Sequence, residues 1–152
     1  LSASGGLPVG LHNFINRLKQ SYTLEISNTE CKPTFNHQFA LSRLKKDGYK
    51  MAVCSNSIRQ SVEEMMRLSA LASHLDLIVS NEDVNCGKPD PEMYLKAMTE
   101  LDVLPQECLI LEDNDHGIRA AIASQGHLLK IGVPDDVTYS SIKEKIAEIE
   151  AL

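Results

Sequence analysis

The sequence predicts a doubly wound α/β protein built on a parallel sheet. Two observations carry that prediction. Short, largely apolar runs of four to six residues alternate with amphipathic stretches of ten or more, the pattern of strands joined by helical crossovers. Three of those runs are followed at once by small polar or charged residues, and open parallel sheets bind their ligands just outside the carboxyl ends of the strands.

The elements follow in order. A first helix is expected over Pro8–Gln20, with Leu11, Phe14, Ile15 and Leu18 on one stripe. Ser27–Thr34 is polar and reads as a connector, with Lys32-Pro33-Thr34 as its breaker. A second helix, Asn36–Lys46, meets Asp47 and Gly48 at its C-cap. Tyr49–Cys54 is short, apolar and bounded, as a buried strand should be. Ser57–Leu71 carries Ile58, Val62, Met65 and Met66 at helical spacing, the methionines as core filler. Leu75–Val79 is the next strand. Pro91–Leu101 is a helix with Tyr94, Ala97, Met98 and Leu101 on one face and prolines near its start. Cys108–Leu111 is a strand, Asp115–Ser124 a helix, and His127–Ile131 a strand. Thr138–Leu152 closes the chain as a helix facing Ile142, Ile146 and Ile149 inward.

Composition narrows the function classes. Apolar residues make up 43% and charged residues 24% of the 152, ordinary for a folded domain and unlike disordered or fibrous chains. No apolar run approaches the ~20 residues that span a bilayer, and Leu1–Gly10 lacks the pattern of a secretory signal. A net charge of −6 with no basic run disfavours nucleic-acid partners. Cys31, Cys54, Cys86 and Cys108 lie more than twenty residues apart, which reads as reduced thiols in a cytoplasmic protein. Cys54 and Cys108 sit in apolar runs, so core packing is their expected role.

Three strand ends carry chemistry. Ser55-Asn56-Ser57 turns into a helix, and its hydroxyls with free helical N–H groups suit an anion such as phosphate; equally, Ser55 or Ser57 would serve as a helix cap. Lys88 stands between Gly87 and Pro89 just before a helix, where a restricted backbone would fix its ammonium as a point charge. Glu112-Asp113-Asn114-Asp115 pairs carboxylates at a strand end, a hard-oxygen set suited to Mg²⁺, with Asp115 expected as N-cap of the next helix. His116 and His127 have no metal-binding arrangement around them and are expected in helix-start and core roles.

Taken in this order, the chain resembles the haloacid dehalogenase (HAD) superfamily of phosphohydrolases, especially β-phosphoglucomutases and small sugar-phosphate phosphatases. Gly48–Ser57 looks like that family's second motif, Gly87–Tyr94 like its third, and Leu109–Asn114 with Gly117, Ile118 and Ala120-Ala121 like its fourth. The resemblance covers about residues 32–137. It implies a Rossmann-like core in which Ser55 and Asn56 contact the phosphoryl group, Lys88 offsets its charge, and Asp113 helped by Glu112 holds Mg²⁺. The implied ligand is a small phosphorylated metabolite such as a sugar phosphate, handled through an aspartyl-phosphate.

One part of the pattern is missing. The family's nucleophile opens an Asp-x-Asp motif after the first strand, and residues 1–34 contain no aspartate. The sole Asp-x-Asp, Asp113-Asn114-Asp115, comes too late for a serine, a lysine and an acidic pair to follow it. Residues 1–34, entered by Ser2-Ala3-Ser4-Gly5-Gly6, therefore read as a linker and the remnant of a helical cap, and residues 35–152 as the core without its first strand. The chain alone is expected to be inactive. Alternatives are a non-catalytic phosphate- and Mg²⁺-binding regulatory module and a receiver domain, the latter disfavoured because here the acids follow the lysine. An empty place at the centre of the sheet would leave unpaired edges, so a segment such as Tyr22–Ile26, a second chain or residues outside this sequence should fill it.

Overall fold

Hydrophobic periodicity locates every helix and strand, with boundaries shifted by a few residues in most cases. The computed structural model describes residues 9–151; the Ser2–Gly6 stretch and Pro8 lie outside the described residues. The elements are α1 (Val9–Glu30), α2 (Phe35–Lys46), β1 (Ala52–Cys54), α3 (Arg59–Leu68), β2 (Leu77–Val79), α4 (Glu92–Glu100), β3 (Leu109–Glu112), α5 (Asp115–Ala123), β4 (His127–Lys130) and α6 (Tyr139–Glu150).

The largest departure is α1, which runs to Glu30 rather than stopping near Gln20. The polar stretch that reads as a connector is helical up to Glu30, and hydroxyls along this part of the helix fold back onto it. Thr23 Oγ1 donates to the Lys19 carbonyl at 2.8 Å, Ser27 Oγ to that of Thr23 at 2.7 Å, and Thr29 Oγ1 to that of Ile26 at 2.9 Å. Such back-bonding satisfies the hydroxyl without freeing the backbone. Tyr22–Ile26 is therefore helical, which removes it from the alternatives for filling the sheet.

β1 pairs in parallel with β2, in the register Ala52↔Leu77 to Cys54↔Val79. β3 pairs in parallel with β4, from Leu109↔His127 to Glu112↔Lys130. Among the described residues these are two separate two-stranded sheets; β1 and β3 are not hydrogen-bonded to each other. Both pairs follow a strand–helix–strand route, β1–α3–β2 and β3–α5–β4, as parallel strands require.

Helix α4 joins the halves. Its Met93 and Ala97 pack with Val79, against which Leu77 and Cys54 also lie. Its Tyr94 and Met98 pack with Ile110, Ala120 and Ala121. Cys54 touches both clusters, so the expectation of core packing for that thiol holds. Full burial of a large apolar side chain stabilises by roughly 1.5–3 kcal/mol, and α4 supplies four of the thirteen buried apolar residues among those described.

Four helices stop in similar ways. Gly48 follows α2 with a φ of +91°, as its C-cap position predicts. After α3, α4 and α5 the same left-handed turn is taken by Ala70, Asp102 and Gln125, with φ of 55°, 53° and 64°. The amide of Leu71 then returns to the Met66 carbonyl at 2.9 Å, and that of Val103 to Met98 at 3.0 Å, the bonding of a Schellman stop.

Candidate active site

The ends of β1 and β3 and the loop after β2 meet at one place, and Lys88 is the residue that ties them. Its Nζ donates to the Cys54 carbonyl at the end of β1 (3.2 Å) and to Glu112 Oε1 at the end of β3 (2.5 Å). The two side chains are only 10% and 7% exposed, so this is a buried ion pair. Tyr94, from α4, donates its hydroxyl to the same Glu112 oxygen. Burial first, then the Glu112 carboxylate, hold the Tyr94 hydroxyl well above its ordinary range, so it stays protonated and remains a donor. Tyr94 was expected only as a core residue; its hydroxyl role has no signal in helical periodicity, which treats tyrosine as apolar.

Two glycines make room. A Cβ on Gly117, in the first turn of α5, would stand 2.1 Å from the Glu112 carboxylate, so only glycine lets that carboxylate lie against the helix start. A Cβ on Gly87 would stand 2.7 Å from Asn56 Oδ1. That close approach serves a two-point bond: Lys88 N–H donates to Asn56 Oδ1 at 2.8 Å, and Asn56 Nδ2 donates to the Lys88 carbonyl at 2.9 Å.

Ser55 follows directly on Cys54. Its backbone N–H donates to the Val79 carbonyl at 2.9 Å, fastening the loop to the end of β2. Its hydroxyl accepts from the Ser57 N–H at 3.1 Å, an arrangement that leaves the hydroxyl proton available to a ligand. Neither Ser55 nor Ser57 caps α3; the N-cap is Ile58, which makes no side-chain cap bond. Cys54, between Lys88 and the core, has its thiol pushed up to about 12 by burial and is a protonated, unreactive neighbour at neutral pH.

At the end of β3 the carboxylates differ. Glu112 is buried and engaged, whereas Asp113 is exposed and bonded by Asn114 Nδ2 at 3.2 Å. The N-cap of α5 is Asn114, not Asp115 as expected: Asn114 has extended backbone and its Oδ1 accepts from Gly117 N at 3.0 Å, while Asp115 is the first helical residue. The chain takes its turn one residue early because Asn114 already offers the side-chain acceptor a cap needs. Among the described residues no three His, Cys, Asp or Glu side chains form a metal-holding group; the two carboxylates supply part of a hard-oxygen set, which Mg²⁺ accepts because it retains waters. His116 lies beside Arg119 on the exposed helix start (3.3 Å). His127 places its ring nitrogen on the Gln106 carbonyl at 3.0 Å, at the surface end of its strand rather than in the core.

The structure thus brings Asn56, Lys88 and Glu112 into direct contact, with Ser55 and Asp113 each adjacent to one of them in the chain. Fold and cluster together define a parallel α/β protein with polar and charged residues gathered at the carboxyl ends of its strands, where such folds bind their ligands. Residues 7–130 match the family model described as haloacid dehalogenase-like hydrolase, and the chain belongs to that family. It is 33% identical to pyrophosphatase PpaX of Bacillus mycoides over 121 residues, covering 71% of this chain and 55% of the relative; the chain therefore spans about half the length of that protein. A HAD hydrolase of family IA, variant 3, from Entamoeba histolytica superposes with a TM-score of 0.77 at 20% identity, covering 91% of this chain and 70% of the other. CbbY from Rhodobacter sphaeroides, solved in complex with phosphate, superposes with a TM-score of 0.72 at 24% identity over 86% of this chain and 59% of the other.

Proposed function

We propose that these residues form the phosphate- and metal-binding half of a phosphohydrolase acting on a small phosphorylated metabolite, such as a sugar phosphate or pyrophosphate. The observation that carries this reading is the buried Lys88 ammonium, fixed by the Cys54 carbonyl and the Glu112 carboxylate at the point where β1 and β3 end, with Tyr94 bonded to the same carboxylate. A cation held that way costs no reorganisation when negative charge arrives, which is what phosphoryl transfer requires. Ser55 donates its hydroxyl proton to a phosphoryl oxygen, and Lys88 offsets the charge. Asp113 with Glu112 would hold Mg²⁺, which when bound neutralises phosphoryl oxygens. Family membership and the likeness to a pyrophosphatase support the same chemistry.

The nucleophilic aspartate of the aspartyl-phosphate route would come from a further strand beside β1 or β3, which are not hydrogen-bonded to each other among the described residues. The test has two parts. Mn²⁺ or Mg²⁺ titration should show weak binding that is lost in Asp113→Asn; equal binding by both proteins removes the metal assignment. Assays of the 152-residue chain with an aryl phosphate, sugar phosphates and pyrophosphate should stay at background. Turnover that disappears in Asp115→Asn would place the nucleophile in Asp113-Asn114-Asp115 instead.

A further inference from the structure

The Asn56 side chain, expected as a phosphate contact, is bonded through both amide atoms to the backbone of Lys88. The amide oxygen takes the Lys88 N–H at 2.8 Å and the amide nitrogen gives a proton to the Lys88 carbonyl at 2.9 Å. Both backbone groups of a residue 32 positions away are thereby held by one side chain, as a neighbouring strand would hold them. Gly87 is shaped to this contact, since a Cβ there would strike Asn56 Oδ1 at 2.7 Å. The far end of the same lysine is held by the Cys54 carbonyl and the Glu112 carboxylate, which Tyr94 also bonds.

We propose that Asn56 is a positioning residue that sets the backbone of Lys88, so that the ammonium arrives at the strand ends with its direction already fixed. This rests on the phosphate-binding reading of Lys88, and it assigns Asn56 a role through Lys88 rather than on the ligand. The geometry explains why an amide is used here. A carboxylate could accept from Lys88 N but could not donate to Lys88 O, and an alanine could do neither.

Two measurements test it on the full chain. The first is brief acetylation with acetic anhydride, read peptide by peptide in a mass spectrometer, with exposed Lys46 as internal standard. Asn56→Ala and Gly87→Ala, which break the same contact from its two sides, should each raise Lys88 labelling about tenfold, and Asn56→Asp by less, with far-UV circular dichroism unchanged. Unchanged Lys88 labelling in the folded variants overturns the proposal. The second is a double-mutant cycle on binding of inorganic phosphate in Mg²⁺. Asn56→Ala should weaken phosphate about tenfold in the wild-type background and have no further effect in Lys88→Met, because a residue acting through Lys88 has nothing left to position. Additive losses would show Asn56 touching the ligand directly and overturn it. Absence of phosphate binding by the wild type would sink the functional reading, while the labelling arm would still decide the role of Asn56.

Discussion

Helices α1 and α4 both present an apolar stripe, and the structure treats the two stripes in opposite ways. Four of the nine residues of α4, namely Met93, Tyr94, Ala97 and Met98, are buried, and they span both sheets. In the 22-residue α1, Leu11, Phe14, Ile15, Leu18, Tyr22 and Ile26 are 41% to 61% exposed. The face that α1 turns inward carries Ser27, which is buried, and the half-buried Gln20, Thr23 and Leu24. Periodicity reports which residues share a face of a helix; what covers that face is decided by the neighbouring elements. α4 is short and central, so four of its five apolar side chains are enclosed, and only Leu95, 42% exposed, faces outward.

The contrast can be tested by substitution. The largest loss of stability is expected from Lys88→Met, just before α4, because it leaves Glu112 buried without its cation; breaking such a pair costs about 3–5 kcal/mol. Urea unfolding should show a lower midpoint at unchanged slope. Next comes Met93→Ala, a fully enclosed side chain, at about 3 kcal/mol in the same measurement. Asn114→Ala removes the cap of α5 and should cost about 1 kcal/mol. Leu18→Ser on α1 should change stability by less than about 0.5 kcal/mol. If Leu18→Ser destabilises the isolated chain as much as Met93→Ala does, the α1 stripe is covered in solution and the comparison fails.

Much of this was legible before the structure. The strand–helix alternation is set by apolar runs too short for anything but strands, and the chemistry-bearing residues lie where parallel sheets put them, directly after those runs. Lys88 and Glu112, read that way from separate strand ends, meet in a buried ion pair. What escaped was the part that depends on long-range contact. Nothing in the spacing of Asn56 and Lys88 shows that one grips the backbone of the other across 32 residues. Tyr94 reads as apolar in a helical pattern, and only its placement over Glu112 turns the hydroxyl into a donor. The end of α1 lies beyond Gln20 because the apolar stripe thins out before the helix does, and the hydroxyls of the polar stretch bond back along the helix, which composition alone does not show. The two-part sheet is a matter of tertiary pairing, which strand propensity does not specify.

The three left-handed stops after α3, α4 and α5 have a consequence for engineering. Ala70, Asp102 and Gln125 each hold a backbone conformation that a side chain opposes, and all three lie at helix ends, away from Lys88. Glycine at any one of them should relieve that opposition for a gain of about 0.5–1 kcal/mol, partly offset by the greater freedom glycine gives the unfolded chain. The domain thus keeps a reserve of stability in its turns, available to a designer who wishes to offset costly changes around Lys88 without altering a single side chain of the cleft.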